Sequence, residues 1–178
     1  MLAATGSAQG QSGVYATAAD YSNNKLTYEA QCSTKHNNVK LHDFFGYSPY
    51  ITVTTGQIKH KIRKSEVYGF RNCNGEVFRF YKNRAYKLAE AGPIYIYTTQ
   101  QNITQSKGYK VVNAYYFSTS PTTPVTSLTF AKLATAYASN EAFCDLLEQS
   151  AGANDASAYD PRHKTYKVNY LYNKSIKH

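Results

Sequence analysis

Lysine and arginine at alternate positions are the side chains of this sequence best spaced to do chemistry. In the run Gln57 to Lys64, the cations Lys59, Lys61 and Arg63 alternate with Ile58, His60 and Ile62. Side chains two apart on a strand share a face and repeat every ~6.6–6.8 Å. Three cations in such a row can hold phosphate or uronate groups by charge. Arg71 and Arg79 fall on the charged side of their own alternations, in Val67–Arg71 and Val77–Tyr81. They extend the row into a cationic sheet surface if those strands lie beside it. The same pattern also describes a solvated outer face, on which Lys discourages edge pairing.

Other reactive types are poorly arranged. His36, His42 and His163 stand apart, and His42-Asp43 is an adjacent pair, which a strand would point to opposite faces. His60 faces the inward side of its alternation and reads as a packed histidine. Cys144 sits among the apolar positions of a helical pattern and reads as core. Glu66, Glu76 and Glu90 flank turns. There is no nucleophile elbow, zinc-binding helix motif or phosphate-binding glycine loop. The sequence therefore assigns no catalytic, metal or cofactor residue and argues against an enzyme. Tyr95 and Tyr97 alternate with Ile94 and Ile96 and form a candidate aromatic surface for sugar rings or bases, with Tyr115 or Tyr116 beside them. Cross-strand packing beneath helices is the plainer use of the same tyrosines.

Lys and Arg number 20 against 11 Asp and Glu, a net charge of +9 that favours an acidic partner. The 178 residues suit one domain. No apolar run reaches the ~18–20 residues of a spanning helix, and the strands look shorter than the ~9–11 residues of a membrane barrel. Cys32, Cys73 and Cys144 fit no zinc or redox spacing. Three free thiols are one arrangement. A Cys32–Cys73 bridge is the other, and it requires an oxidising compartment.

The elements that must position these residues are mostly strands. Residues 65–99 read as the folding core. Tyr68, Phe70, Phe78 and Phe80 alternate onto one face, and Asn74-Gly75 marks a tight hairpin turn between their strands. Lys82-Asn83-Arg84 makes a second turn, and Gly92-Pro93 breaks the chain before the strand Ile94–Tyr97. Upstream, Leu26–Ala30 and Val39–Leu41 read as strands, Ser33–Asn38 as a loop and Phe44-Phe45-Gly46 as an apolar corner. Tyr50–Thr54 and Ile58–Lys64 form a hairpin about Thr55-Gly56. Gln100–Lys107 reads as a polar loop and Tyr109–Ser118 as the last long strand. Helical spacing then begins behind Thr129 with Phe130, Leu133, Ala134 and Tyr137, and again behind Asn140. Asp160-Pro161 reads as a third helix start, with Tyr166, Tyr170 and Leu171 on one face and fraying from Asn173.

Strands followed by helices predict an α+β fold. The expectation is an antiparallel meander or partly closed barrel of about eight strands, then two or three C-terminal helices. Residues 1–13 read as a signal-peptide remnant or disordered N-terminus, with a cleavage-like Gly6-Ser7-Ala8. Residues 14–120 read as the β-rich core, and 121–178 as a helical region packed on the sheet within a single domain.

Four stretches carry a resemblance: VYATAADYSNNKLTYEA, EVYGFRNCNGEVFRFY, GPIYIY and YDPRHKTYKVN. From Val14 to Asn169 the chain resembles small exported proteins of unknown function from Bacteroidetes-type bacteria. The resemblance implies export and no activity. The expectation is an exported, non-catalytic cell-envelope protein with a structural or binding role, in the periplasm, envelope or extracellular space; the alternative location is cytoplasmic. A module that binds nucleic acid or an acidic polymer through the basic sheet face is the second expectation, and an unrecognised hydrolase the third. The sequence names no partner; an acidic polymer or another envelope protein fits its charge.

Overall fold

The computed structural model describes residues 10–32, 38–43, 46–105, 108–151 and 155–176. The cleavage-like run, the 33–37 loop and Phe44-Phe45 lie outside them. The chain divides between Lys87 and Leu88 into two compact units.

The first unit contains β1 (Gln11–Tyr15), α1 (Ala18–Ser22), β2 (Thr27–Gln31), β3 (Val39–Lys40), β4 (Tyr50–Thr55), β5 (Ile58–Arg63), β6 (Gly69–Arg71), β7 (Val77–Tyr81) and the start of β8 (Arg84–Glu90). Its strands form two antiparallel sheets, ordered β8-β7-β6-β1-β2 and β3-β4-β5. Val39, Ile51 and Val53 of the smaller sheet pack with Val14, Phe70 and Phe80 of the larger one. β1 lies inside its sheet, between β6 and β2. The boundary expected at residue 13 is therefore displaced: Ser12 is fully buried within β1. Sequence alone missed this because Gln11-Ser12-Gly13 has no apolar alternation. It also missed α1, which Thr17 and Asp20 cap reciprocally.

The expected hairpins are present, and their turns follow from backbone preference. In β4–β5, Thr55 pairs with Ile58 across Gly56-Gln57, and only Gly56 has positive φ, as a type II′ turn requires. Lys82 and Asn83 both have positive φ between the paired Tyr81 and Arg84, a type I′ turn. The β6–β7 turn is looser than Asn-Gly suggested. Only Gly75 has positive φ, and Asn72 bridges the loop by accepting from the backbone N–H of Asn74 and Glu76. Tyr68 leaves the phenylalanine face. Val67 packs in its place against the cluster that holds Phe70 and Phe80, while Tyr68 stacks on Tyr21 at 5.1 Å.

A disulfide joins Cys32 to Cys73, a separation of 41 residues. In the chain-entropy account a loop of that length is worth about 4 kcal/mol.

The second unit contains the end of β8, β9 (Tyr95–Gln105), β10 (Gly108–Ser118), β11 (Thr126–Ser127), α2 (Phe130–Ala136), α3 (Glu141–Ala151), β12 (Tyr159–Asp160), β13 (Thr165–Tyr166) and α4 (Lys167–Ser175). β9 and β10 pair in unbroken register from Tyr95–Ser118 to Gln105–Gly108. The stretch 100–105 is thus strand and not loop, and these two strands reach the 11 residues the sequence seemed to lack. The helices fill the core with Leu133, Phe143, Leu147, Val168 and Leu171 against Ile94, Ile96 and Phe117. Thr129 caps α2, and the Asn140 side chain accepts from the Phe143 N–H to cap α3.

Asp160-Pro161 opens a turn between β12 and β13 and not a helix. The Asp160 carboxylate accepts from the N–H groups of Arg162 and His163 and so stabilises that turn. α4 begins at Lys167 and continues through the buried Ser175, so the expected fraying from Asn173 is absent within the described residues. Asn169 holds α4 in place. Its carboxamide accepts from the Ile94 N–H at 2.9 Å and donates to the Ile94 carbonyl at 3.0 Å and to Glu90 at 2.7 Å. Both units together give the expected class: antiparallel strands followed by helices. The sheets are open.

Gly69 is the least replaceable glycine. A Cβ there would lie 2.0 Å from the Phe78 carbonyl oxygen, backbone that cannot yield. Gly69→Ala should destabilise the first unit by more than about 4 kcal/mol, read as a urea midpoint shift. The second unit carries an alkaline limit. Burial pushes the Tyr137 phenol, which donates to the Pro93 carbonyl, up to about 12. Burial, then Tyr115 and Glu90, pushes Tyr166 to about 12 as well. Between about pH 10 and about pH 12 the unfolded chain has released these protons and the folded chain keeps them. Stability should therefore fall as pH rises through that window, and Tyr137→Phe should make the fall shallower in a denaturation series.

Candidate cationic sheet face

Alternation and register build this face on the β3-β4-β5 sheet. Burying Ile51 and Val53 turns Tyr50, Thr52 and Thr54 outward. The β4–β5 register then sets Arg63 opposite Tyr50, Lys61 opposite Thr52 and Lys59 opposite Thr54. Lys59, Lys61 and Arg63 are all exposed, as the sequence predicted. On the other side of β4, Lys40 pairs with Thr52 while its neighbour Val39 faces the core. Lys40 and Lys61 thus flank Thr52 with one strand between them, about 10 Å apart by strand spacing.

Two more side chains join them. His42 has a φ of 57° and places its Nε2 2.8 Å from the Thr52 hydroxyl. The Tyr50 ring lies 4.5 Å from the Lys61 ammonium and 5.5 Å from the Arg63 guanidinium. Its π-face supports these two cations. Among the described residues the one carboxylate paired with this row is Glu66, 3.9 Å from Arg63. Both of these groups are exposed, so the pair contributes little.

Arg71 and Arg79 do not join the face. They belong to β6 and β7 of the other sheet. Arg71 donates to the Gln11 carbonyl at 3.0 Å and to the Asn24 side chain at 2.8 Å. Arg79 is 5% exposed and lies within 6 Å of both the Tyr68 and the Tyr81 rings. Alternation located these arginines correctly within their strands but could not say which sheet the strands enter. Lys64 also departs from the row. A 3-10 turn at Lys64–Glu66 ends the alternation and sends the Lys64 side chain into the interior. There it reaches Asp43 at 2.7 Å and the Asn83 carbonyl at 3.1 Å.

The tyrosine surface is not formed as expected. Tyr97 is 1% exposed and bonds the Ser118 hydroxyl at 3.1 Å; Tyr95 is half-buried. Ile96 and Tyr97 are both buried, because this part of β9 is covered on both faces. His42 and Asp43 point to different partners, Thr52 and Lys64, and form no dyad. Cys144 is half-buried, with its sulfur 3.6 Å from the Tyr137 carbonyl. The His60 ring lies against the Tyr28 ring, tilted by 40° with centroids 4.5 Å apart. Among the described residues no three His, Cys, Asp or Glu side chains group as metal ligands.

Sequence reasoning left out Lys40, His42 and Tyr50. The alternations Val39-Lys40-Leu41 and Tyr50–Thr54 carried a signal for Lys40 and Tyr50, because each sets its polar residue opposite a core residue. Nothing local foretold His42. The chain matches no family model, no curated protein and no solved structure.

The buried Lys64–Asp43 pair closes the sandwich beneath this face. Asp43→Asn leaves the Lys64 ammonium buried without a counter-charge and should cost about 3–5 kcal/mol in urea denaturation. Lys61→Ala, on the exposed side, should change stability by less than about 0.5 kcal/mol.

Proposed function

We propose that the chain is an exported, non-catalytic binding module that holds an acidic polymer at the cell envelope. The observation that carries this reading is the exposed set Lys40, Lys59, Lys61 and Arg63 on one face of a three-stranded sheet. The charge of the chain supports it. Of the 20 Lys and Arg and 11 Asp and Glu, 12 and 5 fall in residues 1–87, so 12 − 5 = +7 of the total +9 belongs to the unit with this face. The Cys32–Cys73 bridge favours an oxidising compartment, where export would place the chain. Among the described residues no helix is long and apolar enough to cross a membrane.

The ligand chemistry follows from what the face lacks. Lys61 and Arg63 already lie against the Tyr50 ring, where they compete with a base for stacking on it. Recognition rests on charge spacing, with Thr52, Thr54 and His42 as hydrogen-bonding groups between the cations. An acidic polysaccharide suits such a face better than single-stranded nucleic acid, and it is the polyanion of an oxidising, extracytoplasmic compartment.

Binding to polygalacturonate, followed by calorimetry, should weaken steeply with added salt. Lys61→Glu and Lys40→Glu should each lower affinity roughly tenfold, about 1.4 kcal/mol. Lys25→Glu makes the same change in net charge away from the face and should have a much smaller effect. Equal losses in all three variants would reduce the interaction to overall charge, and no loss at Lys61 would remove the face. Tighter binding to single-stranded DNA than to polygalacturonate would reverse the choice of polymer. Fractionation of cells making the native protein should find it outside the cytoplasm, and a purely cytosolic pool would end the export reading.

A further inference from the structure

Beyond the end of β10 the chain turns back and leaves a groove against α2. Its volume is about 470 Å³, within the ~300–1,000 Å³ typical of small-molecule sites. Phe117 of β10 and Thr126 of β11 pair across the sheet, so both side chains lie on the face that the groove covers. Thr123 and Pro124 form one wall, and Lys132, Thr135 and Ala136 of α2 form the other.

The loop wall is built in advance. Ser118 donates its hydroxyl to the Ser120 carbonyl at 2.7 Å, and Thr123 accepts from the Ser120 N–H at 2.9 Å. Pro121 and Pro124 fix two more backbone angles. A wall ordered before binding adds little entropic cost to it. The same bonds decide what the groove presents. The Thr119 hydroxyl donates to Thr123 at 3.1 Å, and the Thr135 hydroxyl to the Ala131 carbonyl of its own helix at 3.0 Å. The lining is accordingly mostly apolar.

Its one charged residue is Lys132, exposed at the mouth. The ammonium donates to the Ser127 hydroxyl, a neutral partner. Among the described residues it pairs with no carboxylate. The sequence holds no Asp or Glu from 91 to 140. Asp145 and Glu148 of α3 line a different cavity, with Phe130, Ala131 and Ala134. At helical spacing those three residues lie on the face of α2 turned away from Lys132, Thr135 and Ala136.

We propose that this groove binds a small amphipathic carboxylate. Its apolar chain or ring lies over Phe117, Pro124 and Ala136, and its carboxylate pairs with Lys132. A separate observation selects each part. The apolar lining selects the body, the volume limits its size, and a lone ammonium without a counter-charge selects a monoanion. The site belongs to the second unit and does not depend on the polymer reading of the cationic face.

Titration of the whole chain with octanoate, 4-phenylbutyrate and octanol, followed by amide chemical shifts, tests this. At least one of the two acids should bind with a Kd below about 1 mM and move the amides of Thr126 and Ala136. Octanol should bind about fivefold more weakly than octanoate. Lys132→Met should weaken the acid about fivefold, the effect of losing one exposed ion pair, and leave octanol unchanged. Lys174→Met removes the same charge elsewhere in the unit and should change neither. Ala136→Phe fills the groove and should abolish binding of acid and alcohol while the circular dichroism stays that of the parent. Failure of both acids to bind at about 5 mM overturns the proposal. So does acid binding that Lys132→Met leaves intact or weakens no more than Lys174→Met does, and so does binding that survives in folded Ala136→Phe.

Discussion

Burial of Ile51 and Val53 against Val14, Phe70 and Phe80 decides the direction of every charged side chain on β4 and β5. A strand has two faces, and a shift of one residue would exchange them. Both Ile51 and Val53 are fully buried, each worth about 1.5–3 kcal/mol. A slipped strand would lose that and bring Lys61 and Arg63 into the core. The cationic face is therefore the obligatory reverse of a packed one. Its charge is a free choice of sequence, but its spacing and outward direction are imposed from beneath.

Two cross-links brace the first unit, the first within its larger sheet and the second between its two sheets. The Cys32–Cys73 bridge joins the end of β2 to the β6–β7 turn, and buried Lys64 joins the end of β5 to Asp43 and the β7–β8 turn. Buried asparagines do comparable work in both units. Asn72 satisfies two N–H groups inside a turn, and Asn169 pairs with both backbone groups of Ile94 as a neighbouring strand would. In each case a side-chain amide supplies partners where the ladder ends, which is why these polar groups are tolerated inside.

What was legible in the sequence had a strong period or a specific turn. Phe70, Phe78 and Phe80 marked the core hairpin, Gly56 and Asn83 marked turns, and Thr129 and Asn140 announced helices. What was not legible lacked a buried face or had a local signal with two meanings. Residues 100–105 are polar but for Ile103, because most of the ribbon they help form is exposed. Asp160-Pro161 can open a helix or a turn, and the pairing of Tyr159 with Tyr166 selects the turn. Tyr97 alternates with Ile96 as if one side were wet, yet both are buried.

The candidate site divides along the same line. The sequence by itself determined that Lys59, Lys61 and Arg63 share a face, because that follows from a period of two within one strand. It also determined the pairing of that strand with Tyr50–Thr54, because a short glycine turn leaves little choice. Only the tertiary structure decided that Lys40 and His42 complete the face and that Arg71 and Arg79 belong to another sheet. Which distant segments become neighbours is set by the core they bury together, and no local pattern contains that information.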